Sequence, residues 1–250
     1  MEREHQQRYY ELGKRYWWLA GKYRIIRDTI ERHLGVAGSK RLLLDLGCGP
    51  GNLLDVLALQ GETYGSDFSA DALRFCRDRD HRRVFRADFH ALPVRPASFD
   101  LITCIDVLEH LRDDRRAIAE LHRALRPSGL LVATVPAFQV LWGDHDELYG
   151  HFRRYRAHDL RERLVGGGFV PLKVTYFEPL FFAPLWLYRT WKRLVPRSGG
   201  LEKRDDFVDL PSWLNALLTR MIAAERFPLR HLSFPFGVTL LAVARKPATA

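Results

Sequence analysis

The stretch Leu42-Leu43-Leu44-Asp45-Leu46-Gly47-Cys48-Gly49-Pro50-Gly51-Asn52 constrains the fold more than any other part of the chain. Its aliphatic start reads as a strand buried on both faces of a parallel sheet. Glycine at every second position then lets the backbone turn sharply and lie close to a ligand, because no Cβ stands in the way. Open α/β sheets take ligands at the carboxyl ends of their strands, so the loop 47–51 is the first candidate binding element.

Further strands are expected at 62–66, 83–86, 99–105, 130–135, 169–177 and 237–244. Helices are expected from Gly51 to about Gln60, after Ser69 as N-cap, along the face Leu111, Ile118, Leu121 and Leu125, and over 156–165 before Gly166-Gly167-Gly168. This alternation means a parallel sheet wound by right-handed crossovers. Asp45, Asp67, Asp88 and Asp106 all fall at the carboxyl ends of strands. Residues 1–40 read as a helical cap through Tyr16, Trp17, Leu19, Tyr23, Ile26 and Ile30, and 41–177 as the core, with an acceptor loop at 137–155. Residues 178–236 are far longer than a hairpin loop and predict a subdomain inserted before the final strand and tail, 237–250.

With 250 residues and 47% hydrophobic composition, the chain can bury one sizeable core. Cys48, Cys76 and Cys104 are far apart with no C-x-x-C pair, which argues against a disulfide framework or thiolate metal site and fits a reducing, cytoplasmic compartment. The opening Met1-Glu2-Arg3-Glu4-His5 is charged from the start and does not read as a signal peptide. A net charge of +9 fits an anionic partner, either nucleic acid or a lipid surface. Yet 32 of the 39 cations are arginine, scattered along the chain, so genomic arginine bias is the preferred account of the charge.

The spacing Gly47-x-Gly49-x-Gly51 after Asp45 differs from the G-x-G-x-x-G of nicotinamide-dinucleotide enzymes. With Asp67, Asp88-Phe89, Phe99-Asp100-Leu101-Ile102 and Leu125-Arg126-Pro127-Ser128-Gly129-Leu130-Leu131, it resembles the class I S-adenosylmethionine (SAM)-dependent methyltransferases over residues 40–136, with weaker agreement from His151 to Phe169. The resemblance implies a Rossmann-like, doubly wound, seven-stranded sheet whose last strand is antiparallel. It also implies a SAM site of Asp45, Gly47, Cys48, Gly49, Gly51, Asn52, Asp67, Phe68, Asp88, Phe89, Ile105, Asp106 and Val107. Asp67 would take the ribose hydroxyls, Asp88 the adenine amino group, and Phe89 would cover the ring.

Methyl transfer needs mainly an aligned acceptor and exclusion of water. A base is required only where the acceptor atom must lose a proton. The loop Trp142-Gly143-Asp144-His145-Asp146 and Gly150-His151-Phe152-Arg153-Arg154-Tyr155 follows the fifth strand and should overhang the acceptor. His151 is the first candidate base, then His145 and Tyr155, while Trp17, Arg24, His110, Trp142 and Arg154 are candidate acceptor contacts. Asp106-x-x-Glu109-His110 is similar to the set that binds a divalent ion in ubiquinone-pathway and small-RNA methyltransferases. Many superfamily members carry the string without an ion, so the metal-free reading is preferred and Asp106, Glu109 and His110 remain the weaker metal alternative.

Residues 179–193 hold Phe181, Phe182, Trp186, Tyr188 and Trp191 followed by Arg189, Lys192, Arg193 and, just beyond, Arg197, too short a run to span a bilayer. They read as a lid over the acceptor or as an interfacial helix at the inner membrane face. The expected function is methylation of oxygen or nitrogen on a small or lipid-linked biosynthetic intermediate. An RNA methyltransferase and a non-catalytic SAM-binding partner protein are the alternatives, but no RNA-binding module is visible and nucleic acid is disfavoured. The sequence leaves the oligomeric state open.

Overall fold

The computed structural model describes residues 2–35, 41–194 and 210–248, with side chains from Gln7 onward. The expectations for 36–40 and for Arg197 lie outside the described residues. Seven strands form one sheet: β1 (Leu42–Leu46), β2 (Glu62–Asp67), β3 (Val84–Arg86), β4 (Phe99–Ile105), β5 (Leu125–Pro136), β6 (Val170–Phe177) and β7 (Thr239–Arg245). Their order is β3-β2-β1-β4-β5-β7-β6. Strands β1 to β5 run parallel, and β7 is antiparallel to both β5 and β6. The fold is therefore the Rossmann-like α/β arrangement with an antiparallel last strand. The order reverses between β1 and β4, which opens a crevice at their carboxyl ends.

The alternation of side chains along each strand divides the core in two. Leu44, Leu46, Ile102, Cys104 and Leu131 pack with Ile118 and Leu121 of α5 (Asp114–Ala124) and Leu160 and Leu164 of α7 (Ala157–Gly166). Leu43, Leu101, Val132 and Val243 point the other way, onto Ile25, Ile26 and Ile30 of α2 (Trp17–Leu34) and Ile222 of α9 (Ser212–Ala224). Gly21 of α2 permits this approach, since a Cβ there would lie 2.7 Å from Ile222.

Several elements depart from the sequence expectation. The N-terminal region is two helices, α1 (Glu2–Arg15) and α2, broken at Tyr16. After the glycine loop, α3 (Leu54–Leu57) is a single turn, because residues 58–61 must already carry the chain back into β2. Strand β5 begins directly after α5, five residues early, with a register shift between Phe99 and Leu101 opposite and Ser128 at φ 65°. Ser69 caps α4 (Ala70–Asp78) as expected, its side chain accepting from the Ala72 N–H. The segment before β7 holds α8 (Pro179–Leu194), α9 and α10 (Arg226–Leu229), and its Ile222 and Leu229 share the core of α2 rather than forming one of their own.

Candidate active site

Gly47, Gly49 and Gly51 all have positive φ, the left-handed turn that glycine adopts without strain. The Gly47 and Cys48 N–H groups donate to the Ser66 carbonyl of β2. Asp67 closes the turn: Oδ2 accepts from Gly49 N–H and Oδ1 from Ser69 N–H, each at 2.8 Å. Burial raises its carboxyl above the usual range against those hydrogen bonds. A Cβ at Gly49 would meet nothing within 4 Å, so open space lies over the loop, whereas one at Gly47 would strike Val107 at 2.3 Å.

Helix α1 reaches this loop. Gly13 lies against Asn52, and Tyr10 donates to Asp55 at 3.2 Å beside Arg79. Helix α2 reaches further, where Lys22 Nζ donates to Asp106 Oδ2 at 2.6 Å at the end of β4. Burial works against the ammonium charge, yet Asp106 and Glu178 hold it above its ordinary range.

Between α2, the end of β4 and the loop after β5 lies a cavity of about 90 Å³. Helices α1 and α2 give it Tyr9, Trp18, Leu19 and Lys22; the β4 end gives Asp106, Glu109 and His110. His145, Tyr149, His151 and Arg154 come from the loop that carries α6 (Asp144–Leu148), and Pro136, Val238 and Thr239 from β5 and the entry to β7.

Asp146 organises this loop from a fully buried position. Its Oδ1 accepts from His151 Nδ1 and Arg154 Nε, each at 2.8 Å, and its Oδ2 faces Arg154 and Arg189 of α8. Burial opposes the charge, but His151 and the arginines hold the carboxyl far below its ordinary range. His151 lines the cavity with Nδ1 engaged by Asp146, so Nε2 is the ring nitrogen that this carboxylate does not hold. Glu109 is buried beside it with Oε2 lacking a hydrogen-bond partner among the described residues, and burial pushes its pKa well up. Burial, then His151, lowers His110 to about 4. One ligand atom each from Glu109, His110 and His151 lie within 4.8 Å of one another, a donor set of the size and kind that suits a divalent ion.

Of the expected acceptor residues, His145, His151, His110 and Arg154 meet in the cavity. Tyr155 does not, because its bridge to Ala137 turns the ring into the core, where the hydroxyl donates to Leu108 O and Asp114. It cannot serve as a base, since burial and Asp114 drive its pKa far above its ordinary value. Trp17 packs at a tilt against Phe181 with centroids 4.9 Å apart, and its neighbour Trp18 lines the cavity instead. Arg24 is exposed on α2, and Trp142 accepts from Arg193 through its carbonyl; neither lines the cavity. Arg154 is already held by Asp146 and the Ala137 carbonyl. Asp106, placed in the metal set by its sequence position, is paired with Lys22, and His151 takes its place.

Around the glycine loop, Asp45 is interior, accepting from Thr103 at 2.7 Å and raised to about 7 by burial. Cys48 and Val107 are buried, Ile105 half-buried. Phe89 is packed in the core, so its ring covers nothing outside; Phe68 is 66% exposed, with the Arg86 guanidinium 4.8 Å from its ring centroid. Asp88 is exposed and bonded to His90. The sequence reads Tyr16-Trp17-Trp18 with Lys22 and Arg24 as a cap over the cofactor or a helix on the sheet edge, and of these Trp18 and Lys22 line this cavity; Tyr9 and Tyr149 carry no sequence signal, and Asp146 belongs to the expected acceptor loop without a role of its own there.

A family of methyltransferase domains matches residues 44–133. The chain is 33% identical over 147 residues to a probable S-adenosylmethionine-dependent methyltransferase of Mycobacterium tuberculosis, covering 57% of this chain and 54% of that protein. It is 30% identical over 138 residues to the ubiquinone biosynthesis O-methyltransferase of Azoarcus sp., covering 49% and 58%. The chain thus spans little more than half the length of these relatives. The structure of a SAM-dependent methyltransferase from Archaeoglobus fulgidus superposes with a TM-score of 0.55 at 18% identity, over 90% of this chain and 94% of that one, a likeness of fold.

Proposed function

We propose that the chain is a class I SAM-dependent methyltransferase, like the relatives its domain resembles, and that it transfers a methyl group to oxygen or nitrogen of a small or lipid-linked biosynthetic intermediate. SAM, when bound, supplies an electrophilic methyl on a sulfonium. The residues present fit it: the space over Gly49 admits a ligand against the backbone, and Asp67 stands beside it at the end of β2. Phe68 and Asp88 remain exposed at the neighbouring strand ends.

The observation that carries the acceptor half of the reading is the Asp146–His151 pair. Asp146 fixes the His151 tautomer with the proton on Nδ1, so Nε2 can take the proton an acceptor hydroxyl or ammonium must lose. Tyr9, Trp18 and Leu19 close the cavity from the cap side and keep water from the reacting atoms. The trio Glu109, His110 and His151 supports a second reading in which a divalent ion orients the acceptor.

The test is incubation of the purified chain with methyl-labelled SAM and cell extract, followed by partition between organic solvent and water. Label in the organic phase supports a lipid-linked acceptor, and label in water a polar metabolite. No transfer to any fraction, with SAM bound, refutes the enzyme reading in favour of a non-catalytic SAM-binding protein. Full turnover in excess chelator removes the ion.

A further inference from the structure

Helix α8 is turned inside out relative to an ordinary surface helix. Leu180, Ala183, Pro184, Leu187, Trp191 and Leu194 recur at helical spacing along one stripe, and all six are exposed. The four large ones among them are 59–78% exposed. Arg189, half a turn from this stripe, is the residue that is buried, ion-paired with Asp146. Lys192 pairs with Asp144 and Arg193 donates to the carbonyls of Val140 and Trp142, so the polar side is fastened to the domain. The apolar side faces solvent.

Helix α9 packs one apolar side inward and exposes a second. Thr219, Ile222 and Ala223 are buried, while Trp213, Leu217 and Met221 are exposed, Trp213 by 68%. The two helices meet around Trp17, whose ring packs at a tilt against Phe181 of α8 and whose backbone N–H donates to the Asn215 side chain of α9 at 2.9 Å. Exposed Phe236 joins them through Phe182, with centroids 5.9 Å apart. So many exposed large apolar side chains exceed what scattered surface residues explain and mark an interaction face.

Charge selects the occupant. Of the six lysines and arginines in residues 179–194 and 211–236, Arg189, Lys192 and Arg230 pair with Asp146, Asp144 and Asp28, while Arg193 and Arg220 are exposed and Arg226 half-buried; the one acid there, Glu225, is buried. A second copy seated by two-fold symmetry would set like-charged faces against each other. Tryptophan and leucine bordered by arginine and lysine is instead the composition of an interfacial helix, and no helix among the described residues is long and apolar enough to cross a membrane.

We propose that α8 and α9 form a docking face for an anionic lipid surface. Helix α8 links the face to the cavity through its opposite side, where Arg189 pairs with Asp146 and Asp146 holds His151 and Arg154 of the cavity wall. The lipid-linked branch of the proposed function gives this face its purpose, but vesicle binding is read without turnover, so either can fail alone.

The experiment is flotation of the full chain with phosphatidylcholine vesicles, with and without phosphatidylglycerol. Binding is expected to the phosphatidylglycerol vesicles, to weaken with salt, and to shift tryptophan emission to the blue. The double variant Leu187→Ser/Trp191→Ser should bind at least about tenfold more weakly while keeping its thermal melt and SAM affinity. A chain that stays unbound to phosphatidylglycerol vesicles overturns the proposal. So does a variant that binds as the parent does, or a parent dimer in solution that the variant dissolves, which would assign the face to a second copy.

Discussion

Lys22 Nζ and Asp106 Oδ2 lie 2.6 Å apart, joining the second N-terminal helix to the strand end where the sheet order reverses. Asp106 holds φ at 53°, uncommon for a non-glycine residue, and accepts from Thr134 through its other oxygen at 2.9 Å. Three elements, α2, β4 and β5, are thus pinned at one carboxylate. The pair fixes the cap over the crevice, and both residues line the cavity.

Lys22→Met should loosen this cap. Removing one partner of a buried pair leaves the other uncompensated; because Asp106 is still about one-third exposed, the expected loss is about 2 kcal/mol rather than the larger figure for a fully buried pair. Urea titration measures it, and Lys22→Met/Asp106→Asn should recover part of the loss. Equal stability of the parent and the single variant would show the pair to be inert.

Asp146→Asn should separate positioning from binding. The amide no longer supports an imidazolium at His151, so turnover should fall by on the order of a hundredfold, with SAM affinity by calorimetry nearly unchanged. His151→Ala should act the same way. Tyr155→Phe removes a buried hydrogen bond far from the acceptor and should lower stability by about 1 kcal/mol without changing turnover. A loss of turnover in Tyr155→Phe, with stability kept, would reverse this assignment.

The strands and the glycine loop were legible because their signals are local. The packing of Leu43 and Leu44 onto opposite faces follows from strand geometry, and Asp67 ends the short strand expected at 62–66. The acceptor wall was only half legible. His151 and Tyr155 sit in one loop, and nothing in their spacing says that the bridge from Tyr155 to Ala137 sends one ring inward while the other faces the cavity. Trp18 and Lys22 reach the site through the packing of α2 on the sheet, a contact between segments remote in sequence. His151 joins Glu109 and His110 for the same reason, whereas Asp106 was drawn away by a lysine no motif could place there.

Stability should fall as pH rises from about 4 towards 8. Burial raises Glu178 to about 8 and Asp45 and Glu225 to about 7, so the folded state keeps protons that the unfolded state has released. The unfolded chain binds fewer protons across this window, which makes the slope of unfolding free energy with pH negative. Glu178→Gln mimics the protonated form and should flatten the slope, leaving the variant more stable relative to the parent at pH 8 than at pH 5 by on the order of 1–3 kcal/mol. Chemical denaturation at the two pH values decides it; an unchanged slope would mean Glu178 ionises without penalty.

Two glycines two residues apart should fail in different ways. Gly47 has φ 73°, and a Cβ there would press to 2.3 Å from Val107, so Gly47→Ala combines backbone strain with overpacking and should destabilise by about 2–4 kcal/mol. Gly49 has φ 50° but nothing within 4 Å of its Cβ position, so Gly49→Ala should carry only the strain, about 1–2 kcal/mol. Its methyl group would instead enter the space where a ligand lies against the loop. Gly49→Ala should therefore stay folded and lose SAM affinity by at least about tenfold, while Gly47→Ala should show its effect first in the melting temperature. Calorimetric titration of SAM into both, beside their melting curves, separates the two. Retained affinity in Gly49→Ala would place the ligand away from this loop and remove Asp67 from its site.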